Sequence, residues 1–149
     1  MPAFAATAAA LGCELTVPEV AQSVVLTRMP GRASRMPESE RLATFAQTRA
    51  TLAIHLAISA IDAIVTELIP YYGADCPAAV VVRASWPEER VLRGTLGNIA
   101  ALVSAEPIER TALVLVGRAL AAEDFRESAL YDPSYRRRFR EGNGAREGT

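Results

Sequence analysis

Arginine dominates the chemistry this chain can offer. Arg28 and Arg32 lie in the string Leu26-Thr27-Arg28-Met29-Pro30-Gly31-Arg32, and Arg35 follows just before Met36-Pro37-Glu38. The string begins as an apolar, β-branched run ends, so Arg28, Arg32, Arg35 and, later, Arg83 stand at or just past strand ends. Ligands of open α/β sheets bind in that position. A guanidinium fork grips a carboxylate through two parallel N–H donors. One reading is therefore a site for a polyanionic, carboxylate-rich ligand. The other is a set of solvated loop charges or local ion pairs, because Glu38, Glu40 and Glu88 are close in sequence.

Two further strings have unusual composition: Ala84-Ser85-Trp86-Pro87-Glu88-Glu89-Arg90 and Leu130-Tyr131-Asp132-Pro133. Trp86 is the sole tryptophan. At a turn before proline it reads as a core plug or an interface anchor in preference to a ligand-stacking ring.

Several other chemistries are excluded. The only histidine, His55, lies inside an apolar run, so no nucleophile–histidine triad can be assembled. Cys13 and Cys76 are far apart and lack metal-ligand spacing; they read as thiols of a reducing cytoplasm. No glycine-rich phosphate loop is present. All sixteen basic residues are arginine, which removes Schiff-base and lysine-base mechanisms. A net charge of -1 gives no global attraction to nucleic acid or an anionic membrane. The basic stretch 135–140 reads as solvated or paired with Glu123-Asp124. The longest apolar run, residues 50–65, is broken by His55 and Asp62 and does not make a membrane span.

The elements that must position these residues follow from pattern. The Ala-rich residues 3–11 predict a helix stopped by Gly12. Gln22–Thr27, Thr51–Leu56, Ala78–Arg83, Arg90–Arg93 and Thr111–Val116 predict five strands. The continuously apolar Ala78–Arg83 suits the centre of the sheet. Residues 38–47 predict a helix with Glu38 and Glu40 at its start. Ser59 and Asp62 have capping-box spacing ahead of Ile61, Ile64, Val65, Leu68 and Ile69, with Pro70 and Gly73 closing that helix. Thr95 is placed to cap a helix running to Ser104. Residues 119–130 offer a short helix, and 141–149 read as a disordered tail. The alternation predicts one α/β domain with a mixed five-stranded sheet flanked by helices.

Five strings carry a family resemblance: TRMPGRASRMPESE (27–40), ATLAIHLAISAID (50–62), YYGADCPAAVVVRASWPEERVLRGTL (71–96), ERTALVLVG (109–117) and SALYDPSYRRRFR (128–140). In order and content they resemble the precorrin-4 C11-methyltransferase branch of the tetrapyrrole methylase family, over nearly the whole chain to Arg140. The resemblance implies S-adenosyl-L-methionine as cofactor and precorrin-4, or cobalt-precorrin-4, as methyl acceptor. It implies a cytoplasmic homodimer whose cofactor lies between two α/β domains. Residues 1–140 are similar to the C-terminal domain. Met1 stands where the family has the Val of a Pro-Gly-Val-Pro segment, and the N-terminal domain, with its glycine-rich turn and Gly-Asp-Pro loop, is expected to be missing.

The resemblance also implies contacts. Pro2, Ala3 and Phe4 correspond to the turn that touches the methionine end of the cofactor. His55 and Leu56 correspond to the pair on its ribose and adenine side. Ala84 matches the small residue that leaves room for adenine, and Thr111, Ala112 and Leu113 match a segment whose backbone reads the adenine edge. Arg28, Arg32 and Arg35 become candidates to hold the acceptor's carboxylates. No catalytic side chain and no metal is implied, because the methyl group arrives activated and alignment is the main task.

Overall fold

The computed structural model describes residues 2–30, 35–106, 108 and 112–121. Arg32, Thr111 and the expectations for residues 122–149, the tail included, lie outside the described residues.

The Ala-rich segment Ala3–Leu11 forms α1, and Gly12 ends it in the left-handed conformation, φ 65°. Nine elements follow one another as α1, β1 (Val24–Arg28), α2 (Leu42–Ala46), β2 (Thr51–His55), α3 (Ile61–Tyr72), β3 (Pro77–Val82), β4 (Arg90–Thr95), α4 (Ile99–Ser104) and β5 (Ala112–Val116). Short 3-10 turns occupy Glu38–Glu40, Ile58–Ala60 and Arg118–Ala121. The sheet order is β1-β2-β5-β3-β4. β1 and β2 are parallel; the other pairs are antiparallel. The predicted mixed five-stranded α/β architecture is the one observed.

Strand alternation divides the core in two. Leu52, Ile54, Val80, Val82, Val114 and Val116 face α2, α3 and α4, where Leu42, Ile64, Leu68 and Ile99 complete one cluster. Ala53, Ala79, Val81, Leu113 and Leu115 face the other way, against Leu11 and Phe4 of α1. Only one described helix covers this second face, and it does so over part of the sheet's width.

Four expectations change. β3 is interior but not central; β5 holds the middle place, because β2 pairs with β5 and not with β3. The predicted helix 38–47 splits at Arg41, whose backbone is extended. A contact from distant sequence explains the restart: the Glu67 carboxylate on α3 accepts the Ala43 N–H at 3.1 Å, satisfying a first-turn donor of α2. Ser59 and Thr95 do not cap helices. Ser59 lies in a 3-10 turn, and Ala60 precedes α3 without a side-chain cap. Thr95 belongs to β4 and donates its N–H to Asn98 Oδ1 at 2.8 Å. Finally, Pro70 sits inside α3 and does not end it. Proline removes one helical hydrogen bond. Two bonds secure the turn beyond it: Gly73 N–H to Ile69 O at 2.8 Å and the buried Tyr72 hydroxyl to Ala50 O at 2.5 Å.

Arg118, just after β5, forks onto Asp75 at 3.0 and 3.2 Å and reaches Tyr72 O at 2.8 Å. This joins the end of β5 to the loop before β3. The Arg118 hydrogen bonds, and then its charge, hold the Asp75 carboxyl below its ordinary value. A carboxyl with a lower pKa when folded stabilises above its unfolded pKa and loses that contribution as pH falls through the folded one. Asp75→Asn is therefore expected to lower Tm slightly at neutral pH, with the difference from wild type closing on acidification. Thermal melts across the acid range check this; a difference that stays constant with pH would assign the effect to packing.

Candidate functional site

The sheet topology gathers chain ends at one edge. β1, β2 and β3 finish there, while β5 and β4 begin there. Between that edge and α1 lies a cavity of about 340 Å³. α1 contributes Ala3, Ala6 and Thr7; the end of β2 contributes His55 and Leu56. The turn after β3 contributes Arg83, Ala84, Ser85 and Trp86, and β5 contributes Ala112 and Leu113. Small side chains create the space: four of these residues are alanines.

The backbone is strained at this edge. Leu56, Arg83 and Ser85 have left-handed backbones with φ of 52°, 48° and 70°; among the described residues only Glu19 and Arg49 are other non-glycine cases. Each such residue costs roughly 1–2 kcal/mol. Strain of this kind persists where surrounding structure over-determines it, and it concentrates at functional sites. The turn after β3 is held by its own bonds. Trp86 N–H reaches Arg83 O and Glu89 N–H reaches Trp86 O, each at 3.0 Å, and Ser85 N–H donates to Glu89 Oε1 at 2.8 Å.

Polar groups in the cavity are few. Thr7 donates its hydroxyl to Ala3 O at 2.8 Å, inside its own helix. His55 Nδ1 lies 3.1 Å from Thr27 O. A carbonyl only accepts, so Nδ1 carries the proton and Nε2 of the neutral ring is an acceptor. Arg83 and Ser85 add polar groups, and the start of β5 is a further polar resource. β3 pairs with β5 down to Ala112, but the β2–β5 register stops at Ile54↔Val114. At Ala112 and Leu113 the backbone edge toward β2 is therefore past its ladder.

Six of the residues named from sequence converge here: Ala3, His55, Leu56, Ala84, Ala112 and Leu113. Pro2 does not line the cavity; it is the exposed residue before α1, and its carbonyl takes the Ala5 and Ala6 N–H groups. Phe4 turns instead into the apolar cluster with Leu11 and Leu115. Ala6 and Thr7 went unnamed, although they follow Ala3 by one helical turn. Trp86 is not a core plug: it is 58% exposed.

Arg28 and Arg35 line a second cleft of about 440 Å³ beside Met29 and Met36. Among the described residues, its rim holds three arginines (Arg28, Arg35, Arg41) and three glutamates (Glu38, Glu40, Glu67). Glu38 and Arg41 pair at 3.3 Å on the exposed surface, where such pairs contribute little. Arg28 faces His55 in the β1–β2 register, so the two clefts adjoin along one sheet edge.

Residues 1–100 match the family model described as Tetrapyrrole (Corrin/Porphyrin) Methylases. The chain belongs to the tetrapyrrole methylase family. Among relatives of this methylase chain, the precorrin-4 C(11)-methyltransferase of Sinorhizobium sp is 68% identical over 140 residues, covering 94% of this chain and 55% of that protein. The X-ray structure of a cobalt precorrin-4 methyltransferase superimposes with a TM-score of 0.74 at 36% identity, over 79% of this chain and 49% of that one. A uroporphyrin-III C-methyltransferase from Thermus thermophilus, complexed with S-adenosyl homocysteine, has a TM-score of 0.61 at 22% identity, over 78% of this chain and 50% of that one. That last likeness concerns the fold alone. The methylase chain described here spans about half the length of the relatives it matches.

The strain has a testable consequence. Leu56 is left-handed and 80% exposed, so its side chain contributes little packing. Leu56→Asn, which tolerates this backbone better, is expected to stabilise the isolated chain by about 1 kcal/mol. Urea unfolding measures this; a loss of stability would mean that the leucine is packed in solution.

Proposed function

We propose that this chain is the C-terminal half of a precorrin-4 C11-methyltransferase and supplies one wall of its S-adenosylmethionine cleft. One observation carries the reading: Ala3, Leu56, Ala84 and Ala112, distant in sequence, line a single cavity at the strand-end edge. The name of the 68% identical relative supports the choice of precorrin-4 as acceptor, and methylation at C11 would give precorrin-5 as product.

The cavity's chemistry suits the cofactor. A neutral adenine requires a close apolar slot and a few backbone hydrogen bonds. Ala84 and Ala112 supply the slot, and the free edge of β5 at Ala112–Leu113 supplies N–H and C=O groups. His55 Nε2, an acceptor, suits a ribose hydroxyl. Among the described residues, the cavity lining contains no carboxylate to capture a sulfonium, so there the cation would be held by position and not by an ion pair. When bound, S-adenosylmethionine supplies a methyl group already activated on sulfur.

The protein's task is then geometric. Alanine methyls from α1, β5 and the turn after β3 pack the slot and keep water out. The strained turns fix where the strand ends present their side chains, and so would hold cofactor and acceptor in one alignment. Arg28 and Arg35, with Arg32, stand in this proposal as contacts for acceptor carboxylates. Each guanidinium would act as an individual fork on one carboxylate. The remaining half of the enzyme would form the facing wall, over the exposed Leu56. The chain alone is thus expected to bind cofactor weakly and to turn over slowly or not at all.

Calorimetric titration with S-adenosylhomocysteine tests the slot. The expected result is binding that falls at least about tenfold in Ala84→Leu and in Ala112→Leu, whose larger side chains fill the cavity, while Arg28→Ala changes it by less than about twofold. Equal affinity in all three variants would place the cofactor elsewhere.

A further inference from the structure

The mouth of the cavity differs in chemistry from its interior. The described residues include four exposed large hydrophobics, Val20, Leu26, Leu56 and Trp86, and the last two both line this cavity. An indole left 58% exposed is not explained by packing. Nor is its position accidental, because three hydrogen bonds within residues 83–89 and two left-handed residues, Arg83 and Ser85, fix the turn that presents it. The Arg83 guanidinium stands 6.0 Å from the indole centroid, at the outer range of a cation–π contact. Glu89, a carboxylate of the same turn, is committed to the Ser85 N–H. Among the described residues, Arg83 forms no ion pair.

An aromatic face beside a cation is complementary to a conjugated ring bearing carboxylates. Adenine in the inner slot is neutral and has no use for the cation. We infer that Trp86 and Arg83 form a contact for the methyl acceptor, the indole taking the face of an anionic tetrapyrrole and the guanidinium taking one of its carboxylates. This rests on the reading of the inner cavity as the cofactor slot. It places an acceptor contact next to the adenine wall, with the ends of β2 and β5 between it and the cleft of Arg28 and Arg35. It also makes Trp86 a specificity-determining residue, since a ligand lacking either the ring or the charge gains from only half of the pair.

Trp86 is the sole tryptophan, so its emission reports on this position alone. The probe is uroporphyrin III, a conjugated tetrapyrrole polycarboxylate. Titration of the chain is expected to quench Trp86 emission, with affinity measured in parallel from the porphyrin's own absorbance. Trp86→Ala should weaken porphyrin binding at least about tenfold, and Trp86→Phe, which keeps an aromatic face, should restore most of it. Arg83→Gln should weaken it by an amount that shrinks as salt is raised. S-adenosylhomocysteine affinity should fall clearly less than porphyrin affinity in all three variants, although Arg83 and Trp86 line the cavity. No porphyrin binding by wild type, or an effect of Trp86→Ala below about threefold, overturns the inference. Equal losses for porphyrin and S-adenosylhomocysteine overturn it too, because Trp86 would then belong to the cofactor wall. Porphyrin binding that depends on Trp86 in a chain that binds no S-adenosylhomocysteine would leave the acceptor contact standing and remove the cofactor reading instead.

Discussion

The antiparallel insertion of β5 between β2 and β3 is the constraint on which the rest depends. Without it, β2 and β3 would be neighbours and the cleft between their ends would close. With it, the start of β5 reaches the same edge as the ends of β2 and β3. The strand is held by burial: Val114, Leu115 and Val116 are fully enclosed, and the side chains alternate between both cores. Gly117 continues this fit. Its φ is 156°, and a Cβ there would stand 3.1 Å from Thr51 Oγ1 and 3.2 Å from Thr51 Cα, so β2 and the end of β5 approach closely because no side chain intervenes. The Arg118–Asp75 fork then ties the same end of β5 to the loop before β3.

Pairing on β5 is two-sided at Val114–Val116 and, at Ala112–Leu113, is recorded only with β3. Backbone polar groups must be satisfied when buried. A strand that continues two residues past its last pairing with β2 can offer hydrogen bonds to whatever fills the space beside it. The left-handed residues Leu56, Arg83 and Ser85 border that same space. The site is thus built mainly from backbone and small side chains, which explains why a search for catalytic side chains in the sequence finds none.

Most of the fold was legible because its signals are local. The Ala-rich start with Gly12 defines α1, and the period of Ile61, Ile64 and Leu68 defines the inner face of α3. Signals that depend on distant partners were not legible. The break at Arg41 depends on Glu67, some two dozen residues away, and the passage of α3 through Pro70 is secured by Tyr72 reaching Ala50. The order of the sheet was hidden for the same reason: Ala78–Val82 and Ala112–Val116 are equally apolar, and only pairing decides which is central. Of the site, the alanines and strand-end residues were accessible through family resemblance, whereas Phe4 and Pro2 sit off the cavity because helical geometry turns Ala3, Ala6 and Thr7 inward instead. For Trp86 the sequence left a core plug or an interface anchor open; its exposure removes the first, and the turn that displays it is built from hydrogen bonds that composition does not reveal.

The central claim is that one ligand touches three strand ends and α1 together. Amide chemical-shift mapping of the labelled chain with S-adenosylhomocysteine tests it most directly. The account predicts that the shifts cluster at residues 3–7, 55–56, 83–86 and 112–113. Shifts confined to the cleft of Arg28 and Arg35, or to the separate groove lined by Cys13 and Arg93, would contradict it.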